Sequence, residues 1–302
     1  MMNKIIHTGI AFLLAAGLAG CTLTEKVNVE INPKPTLLLE FPEGDRIETL
    51  HVLAYNPQGV FVDSLQLLHP SLRQAATKAG EGKVDTLLAG VPEGDYRVVC
   101  YANLDQSQLA KLEKGVSTLN DLAVLLDPTP EYDHSDALYH GTASATVRRG
   151  PPAQVKPGMV PRYYQVELTL QKDEDDLTPV GDYSARLVSV PDAVDGEGTV
   201  RVSGAGHTCS FSPELTTDTE AGQRTAEFTM PRFGDDQGVQ LVLEKAGSEI
   251  ARVAVIPSSC GIDPSSTQEV LLPIYIEIAI DKIFISILDW NTVIEQNTGV
   301  GD

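Results

Sequence analysis

The chain has 302 residues, 42 acidic against 22 basic, and a formal net charge of −20. That balance argues against nucleic acid as a partner, since phosphate binding needs a basic face. Acidity favours solubility and names no ligand.

Lys4 gives a short positive start, and Ile10 to Leu18 is an apolar run too short to span a bilayer. This is the pattern of a secretory signal. Leu18-Ala19-Gly20-Cys21 then matches a lipobox. Small residues before the cut fit a narrow peptidase pocket. The Cys21 thiol is expected to take a diacylglycerol and the freed amine a further acyl chain. One chain anchors marginally, whereas two or more hold stably. Removing residues 1–20 takes away Lys4 and no acid, so −20 becomes −21. No later run reaches spanning length. Leu271 to Leu288 comes closest but contains Pro273, Glu277, Asp281 and Lys282. The processed chain, about 280 residues, is long enough for two domains with real cores.

Strand signals dominate the rest of the chain. Thr36 to Phe41 is a short apolar run ended by Pro42-Glu43-Gly44-Asp45. Leu50 to Tyr55 and Val60 to Leu68 flank Asn56-Pro57-Gln58-Gly59, whose proline and glycine suit a type I turn in a hairpin. Ser71 to Ala79 reads as a short helix ended near Gly80. Pro92-Glu93-Gly94-Asp95 turns into a strand over Tyr96–Tyr101. Ser117 to Leu122 carries capping residues and predicts a short helix continuing to Leu126, stopped by Pro128. Leu138–Val147 and Tyr163–Leu170 are further strands. In the second of these Val166, Leu168 and Leu170 alternate with Glu167 and Thr169, as a half-buried strand does. Asp173-Glu174-Asp175-Asp176 repel one another and resist burial. The division between domains is placed here, giving 21–171 and 172–302. The Pro-rich stretch Gly150–Pro161 is read as a long loop. The second half predicts strands at Tyr183–Val190, Thr199–Val202, Arg224–Met230, Val239–Glu244, Glu249–Ile256, Glu269–Ile280 and Lys282–Trp290. The last has Ile283, Ile285 and Ile287 on one side and Phe284, Ser286 and Leu288 on the other, which suits a strand between two packed layers. Many short strands with turns between them predict an all-β chain of sandwiches.

Catalytic signatures are missing: no GxSxG, P-loop, HExxH or GxGxxG occurs. The expectation is no enzyme and no cofactor. His207-Thr208-Cys209 with Cys260 is too sparse for a zinc site. Asp192–Gly198 and Gly234–Gly238 lack the spaced acids of a calcium loop. His140-Gly141 reads as a strand-edge turn. Lipidation consumes Cys21 and leaves Cys100, Cys209 and Cys260. Cys100 reads as a buried small hydrophobe, and Cys209 with Cys260 is the candidate disulfide.

The order of segments resembles the FimB/Mfa-type fimbrial anchor family, the type V pilus lipoproteins of Bacteroidales. The features are the lipobox at Cys21, Leu37–Phe41, and the run Ile47–Val62. Then come the proline–x–glycine–x–tyrosine turn Pro92–Tyr96 and a strand closing on Ala102-Asn103-Leu104. Leu119–Leu122, Leu138–Gly141 and Ile283–Trp290 follow in order. The resemblance implies two tandem transthyretin-like β-sandwiches and no catalysis. It also implies an outer-membrane, surface-exposed lipoprotein that holds a fimbrial rod. Its partners would be shaft subunits joined by donor-strand exchange, in which backbone hydrogen bonds supply affinity and alternate side chains set register. The alternative is a surface lipoprotein that binds glycan or another extracellular ligand.

Overall fold

The computed structural model describes residues 36–41, 47–68, 84–89, 91–126, 131–173, 179–204, 207–280, 282–287 and 290–295. The signal segment, Cys21 and the expected helix at Ser71–Ala79 lie outside them.

The first half contributes β1 (Thr36–Phe41), β2 (Leu50–Tyr55), β3 (Phe61–Leu67), β4 (Val84–Ala89), β5 (Gly94–Ala102), β6 (Ser107–Leu109), β7 (Ala123–Leu126), β8 (Tyr139–Val147), β9 (Ala153–Val155) and β10 (Val160–Pro161). A three-stranded sheet in the order β4-β1-β9 faces a five-stranded sheet in the order β10-β8-β5-β2-β3. Between them lie Leu37, Leu39, Leu50, Val52, Ala54, Val98, Cys100 and Ala102. These are alternate positions on each strand, as one core-facing side requires. The other side of the larger sheet is buried as well, through Leu53, Tyr55, Val99 and Tyr101. Burial on both sides is why Val98–Ala102 reads as an unbroken apolar run. The expected hairpin is present. The Gly59 N–H donates to the Asn56 carbonyl, the Asn56 side chain accepts from the Gln58 and Val60 N–H groups, and Gly59 sits at φ +74°.

The second half contributes β11 (Tyr163–Lys172), β12 (Tyr183–Pro191), β13 (Ala193–Asp195), β14 (Val200–Arg201), β15 (Thr208–Phe211), β16 (Thr216–Asp218), β17 (Gln223–Pro231), β18 (Gln240–Lys245), β19 (Ser248–Ala254), β20 (Val270–Ile278), β21 (Lys282–Ile287) and β22 (Trp290–Glu295). Six strands in the order β16-β17-β11-β20-β21-β22 face four in the order β15-β12-β18-β19. Val166, Leu168, Leu170, Leu272, Ile274 and Ile276 meet Leu187, Leu241, Leu243 and Phe211 in the core. The chain is thus all-β, with two sandwiches in tandem. A further sheet, β14-β13-β7-β6, takes strands from both halves.

Several expectations meet particular strand pairings. β11, which lies between the Pro-rich stretch and the acidic run, pairs with β17 and, in parallel, with β20. The change of sheet falls at Arg162, after the Pro-rich stretch. Charge along the chain does not say which core the strand preceding the acidic run enters. The expected helix reduces to one 3₁₀ turn, Leu119–Asp121, followed by β7. Neighbours β6 and β13 take up the backbone groups of Ala123–Leu126, and tertiary pairing overrides the local capping signal. On β21, Ile283, Ile285 and Ile287 are buried, while Phe284 and Ser286 are half-buried. The strand is covered on one side rather than lying between two layers. Cys209 and Cys260, the candidate bridge, are both buried free thiols.

Candidate functional site

Several residues with strongly perturbed surroundings, Tyr101, His140, Tyr163 and Tyr164, lie where the halves meet. They belong to β5, β8 and β11, beside the Asp195–Thr199 turn and the short connections Arg162 and Arg232–Gln237. The Asp195 carboxylate makes the turn by accepting from the Glu197 and Thr199 N–H groups at 3.0 and 2.9 Å. The turn then drops onto the first-half sheet. The Tyr101 hydroxyl donates to the Asp195 carbonyl at 2.5 Å, and the Arg97 guanidinium pairs with Glu197. Val194 and Val200 on either side of the turn pack into the same cluster as Tyr101.

His140 lies under this turn. Expected as a strand-edge turn, it is instead an inner position of β8 and only 3% exposed. A histidine beside glycine reads as a turn when strand neighbours are unknown. Its Nε2 lies 3.2 Å from the Gly196 carbonyl. A carbonyl can only accept, so Nε2 carries the proton and Nδ1 is bare. The ring centroid is 5.1 Å from that of Tyr101. Burial, with Arg162 adding to it, pushes the imidazole down to about 4. Gly198, at φ +78°, passes so close that a Cβ there would lie 2.2 Å from His140 Nδ1. Gly141 is packed likewise, with a Cβ meeting Met159 Sδ at 2.7 Å. The His-Gly pair is therefore a packing device, and its ring bonds to backbone.

Two arginines complete the junction, and sequence reasoning misses both. Each follows a proline and precedes an aromatic, in Pro161-Arg162-Tyr163 and Pro231-Arg232-Phe233. That repeated tripeptide is the available signal. The Arg232 N–H donates to the Arg162 carbonyl at 3.0 Å. The Arg232 side chain is 2% exposed. It donates to the carbonyls of Tyr163, Ser266 and Gln268 and lies 5.8 Å from the Tyr164 ring centroid. Arg162 differs: its Nε is shut from solvent with no protein acceptor.

Elsewhere the acids of the Asp192–Gly198 and Gly234–Gly238 segments hold neighbouring N–H and hydroxyl groups. Asp192 accepts from the N–H and hydroxyl of Ser203, and Asp235 accepts from the Ser258 N–H at 2.9 Å. Among the described residues no group of three or more His, Cys, Asp or Glu could hold a metal ion. No helix among them is long and apolar enough to cross a membrane.

The recurring sequence elements have physical reasons. In Pro92–Tyr96 the tyrosine hydroxyl donates back to the Pro92 carbonyl at 2.9 Å, which pins the turn to the start of β5. Asn103 sits at φ +63°, a region that asparagine tolerates better than most. There its side chain accepts from Glu48 N–H at 2.8 Å and donates to the Ala137 carbonyl at 3.2 Å.

Residues 38–295 match the fimbrillin-A associated anchor proteins Mfa1 and Mfa2. The chain belongs to that family. Its role is accordingly that of a fimbrillin-associated anchor protein. Solved structures share the fold. The fimbrial anchor protein Mfa2 from Porphyromonas gingivalis is 15% identical with a TM-score of 0.63, over 87% of this chain and 99% of that one. A candidate polysaccharide-binding protein from Bacteroides thetaiotaomicron is 14% identical with a TM-score of 0.67, over 86% and 98%. A candidate adhesin from Bacteroides ovatus is 14% identical with a TM-score of 0.67, over 90% and 99%. A search of curated proteins returns no match.

Proposed function

We propose that this member of the anchor family is a lipoprotein, cut before Cys21, acylated there, and held on the outer membrane, where it takes a fimbrial shaft subunit by strand addition. The observation that carries the reading is the family match, which begins at residue 38, a short tether away from the Cys21 lipobox. Among the sheet ends, β3 closes the five-stranded sheet and β22 the six-stranded one. The β3 end is partly covered. The Phe61 N–H donates to the Ser117 carbonyl, and the Phe61 carbonyl accepts from Gly115. Among the described residues β22 is paired on one side only, with β21. That favours β22 as the edge where a partner strand adds, since an unpaired edge offers a ready row of N–H and C=O groups. The apolar runs of β20 and β21 are internal strands of the six-stranded sheet, so neither is free to be donated.

Two measurements test this. Metabolic fatty-acid labelling should mark the wild type and leave Cys21→Ser unlabelled; label retained by the variant would refute the lipid assignment. A cysteine introduced at Thr292 on β22 should cross-link to the shaft subunit in assembled fimbriae, and one at Ser64 on β3 should not. Cross-linking at Ser64 alone would move the contact to the first sandwich.

A further inference from the structure

Beside Arg162 the junction of the halves forms an open cleft of about 380 Å³, walled by Gly198, Thr199, Phe233, Gln237 and Ser265. It differs in charge from the rest of an acidic molecule. The carboxylates nearby are already engaged: Glu197 with Arg97, Asp195 with the backbone of its own turn, and Asp263 with the N–H and hydroxyl of Ser265. Arg232 spends its donors on three carbonyls. Arg162 is left over. Its Nε is closed to solvent and has no hydrogen-bond partner, and the carboxylate that favours its charge, Asp195, also faces Arg201 at 3.9 Å. A half-buried cation with an unfilled donor and only a shared carboxylate nearby is costly and gains when a further anion meets it. The planar fork of arginine matches a carboxylate in two parallel hydrogen bonds.

We propose that this cleft binds an acidic sugar, a uronate, with its carboxylate on the guanidinium of Arg162 and ring hydroxyls toward Thr199 and Ser265. The volume falls in the range of small-ligand pockets. The exposed hydroxyls of Thr199 and Ser265 stand at its mouth, beside apolar surface from Val200, Phe233 and Pro264 against which a sugar ring can lie. An extended peptide is the poorer fit. It would need a free strand edge, and the β14 residue in the wall, Val200, already has its carbonyl bonded to Gln237 Nε2 at 2.8 Å. Binding of this kind is independent of the anchor reading and requires neither lipid nor strand addition.

The test is calorimetric titration of the full chain with sodium D-galacturonate, methyl α-D-galactoside and N-acetylglycine. Galacturonate should bind, and the neutral galactoside should bind at least tenfold more weakly. Arg162→Gln should weaken galacturonate at least tenfold. Ser265→Tyr, which fills the exposed mouth without touching Arg162, should do the same, and thermal melts of both variants report whether they fold. No galacturonate binding at millimolar concentration would overturn the proposal. So would binding left unchanged in folded Arg162→Gln, or in folded Ser265→Tyr if Arg162→Gln does not fold. N-acetylglycine binding as tightly as galacturonate would overturn the sugar assignment in favour of a peptide carboxylate.

Discussion

Gly198 leaves no room for a side chain, and this makes the junction testable one atom at a time. Gly198→Ala would place a methyl 2.2 Å from His140 Nδ1 at φ +78°. The left-handed backbone costs about 1 kcal/mol, and overpacking adds about 1–3 kcal/mol. A loss of about 2–4 kcal/mol in urea unfolding is expected, with partial recovery when His140→Ala is added, because the two groups share one contact. His140 also sets a pH dependence. Its folded value is about 4 against an ordinary 6.5, lowered first by burial. Above pH 6.5 both states are neutral there and nothing is lost. As pH falls from 6.5 toward 4 the unfolded chain takes the proton and the folded one does not, so stability falls by up to about 3 kcal/mol and then levels. Urea melts at pH 7.5, 5.5 and 4.5 should show this loss in the wild type and its absence in His140→Asn. Parallel pH curves for the two proteins would show that the ring is not held as described.

Among the elements, β21 separates pattern from packing. Its sequence is apolar on both sides, but Ile285 is 1% exposed in the core while Phe284 across the strand is half-buried. Ile285→Ala should cost about 2–5 kcal/mol and Phe284→Ala clearly less. Equal costs in chemical denaturation would mean that a second layer covers the Phe284 side. The neighbouring strand shows how local chemistry limits pairing. Pro273 of β20 lies opposite Glu167 of β11, and pairing with β21 begins only at Ile274. Proline has no N–H to give, so it is tolerated where one side of the strand has no ladder. The capping signal at Thr118 is also real, since the Asp121 carboxylate accepts from the Thr118 N–H at 2.7 Å. It starts only one turn because β6 and β13 compete for the backbone of Ala123–Leu126.

At the scale of the whole molecule, β11 decides where one sandwich ends. We propose the division at Arg162, ten residues before the one expected from charge. A fragment of residues 162–302 keeps β11 between β17 and β20, while a fragment of 173–302 lacks that central strand. The first should melt cooperatively and the second should not. Cooperative melting of 173–302 would restore the division at the acidic run. The two sandwiches are also sewn together, since β13 of the second half pairs with β7 of the first over Ala193–Asp195. Limited proteolysis between them should therefore release fragments slowly.

Much was legible in the chain itself. Period-two alternation in Val166–Leu170 and the Asn56–Gly59 turn are local facts, set by side-chain direction and by the φ range of proline and glycine, and the structure keeps both. The all-β class and the family follow from such signals repeated in order. What the chain could not show is which distant strand completes each hydrogen-bond ladder. Nothing near Tyr163 announces that Val270–Ile278 will lie parallel to it, a hundred residues on. Nothing in Asp195–Thr199 announces that it will cap His140. Pairing across such separations depends on surfaces that exist only after collapse. For that reason strand membership, the junction and the unfilled Nε donor of Arg162 belong to the tertiary structure, while the strands and turns belong to the sequence.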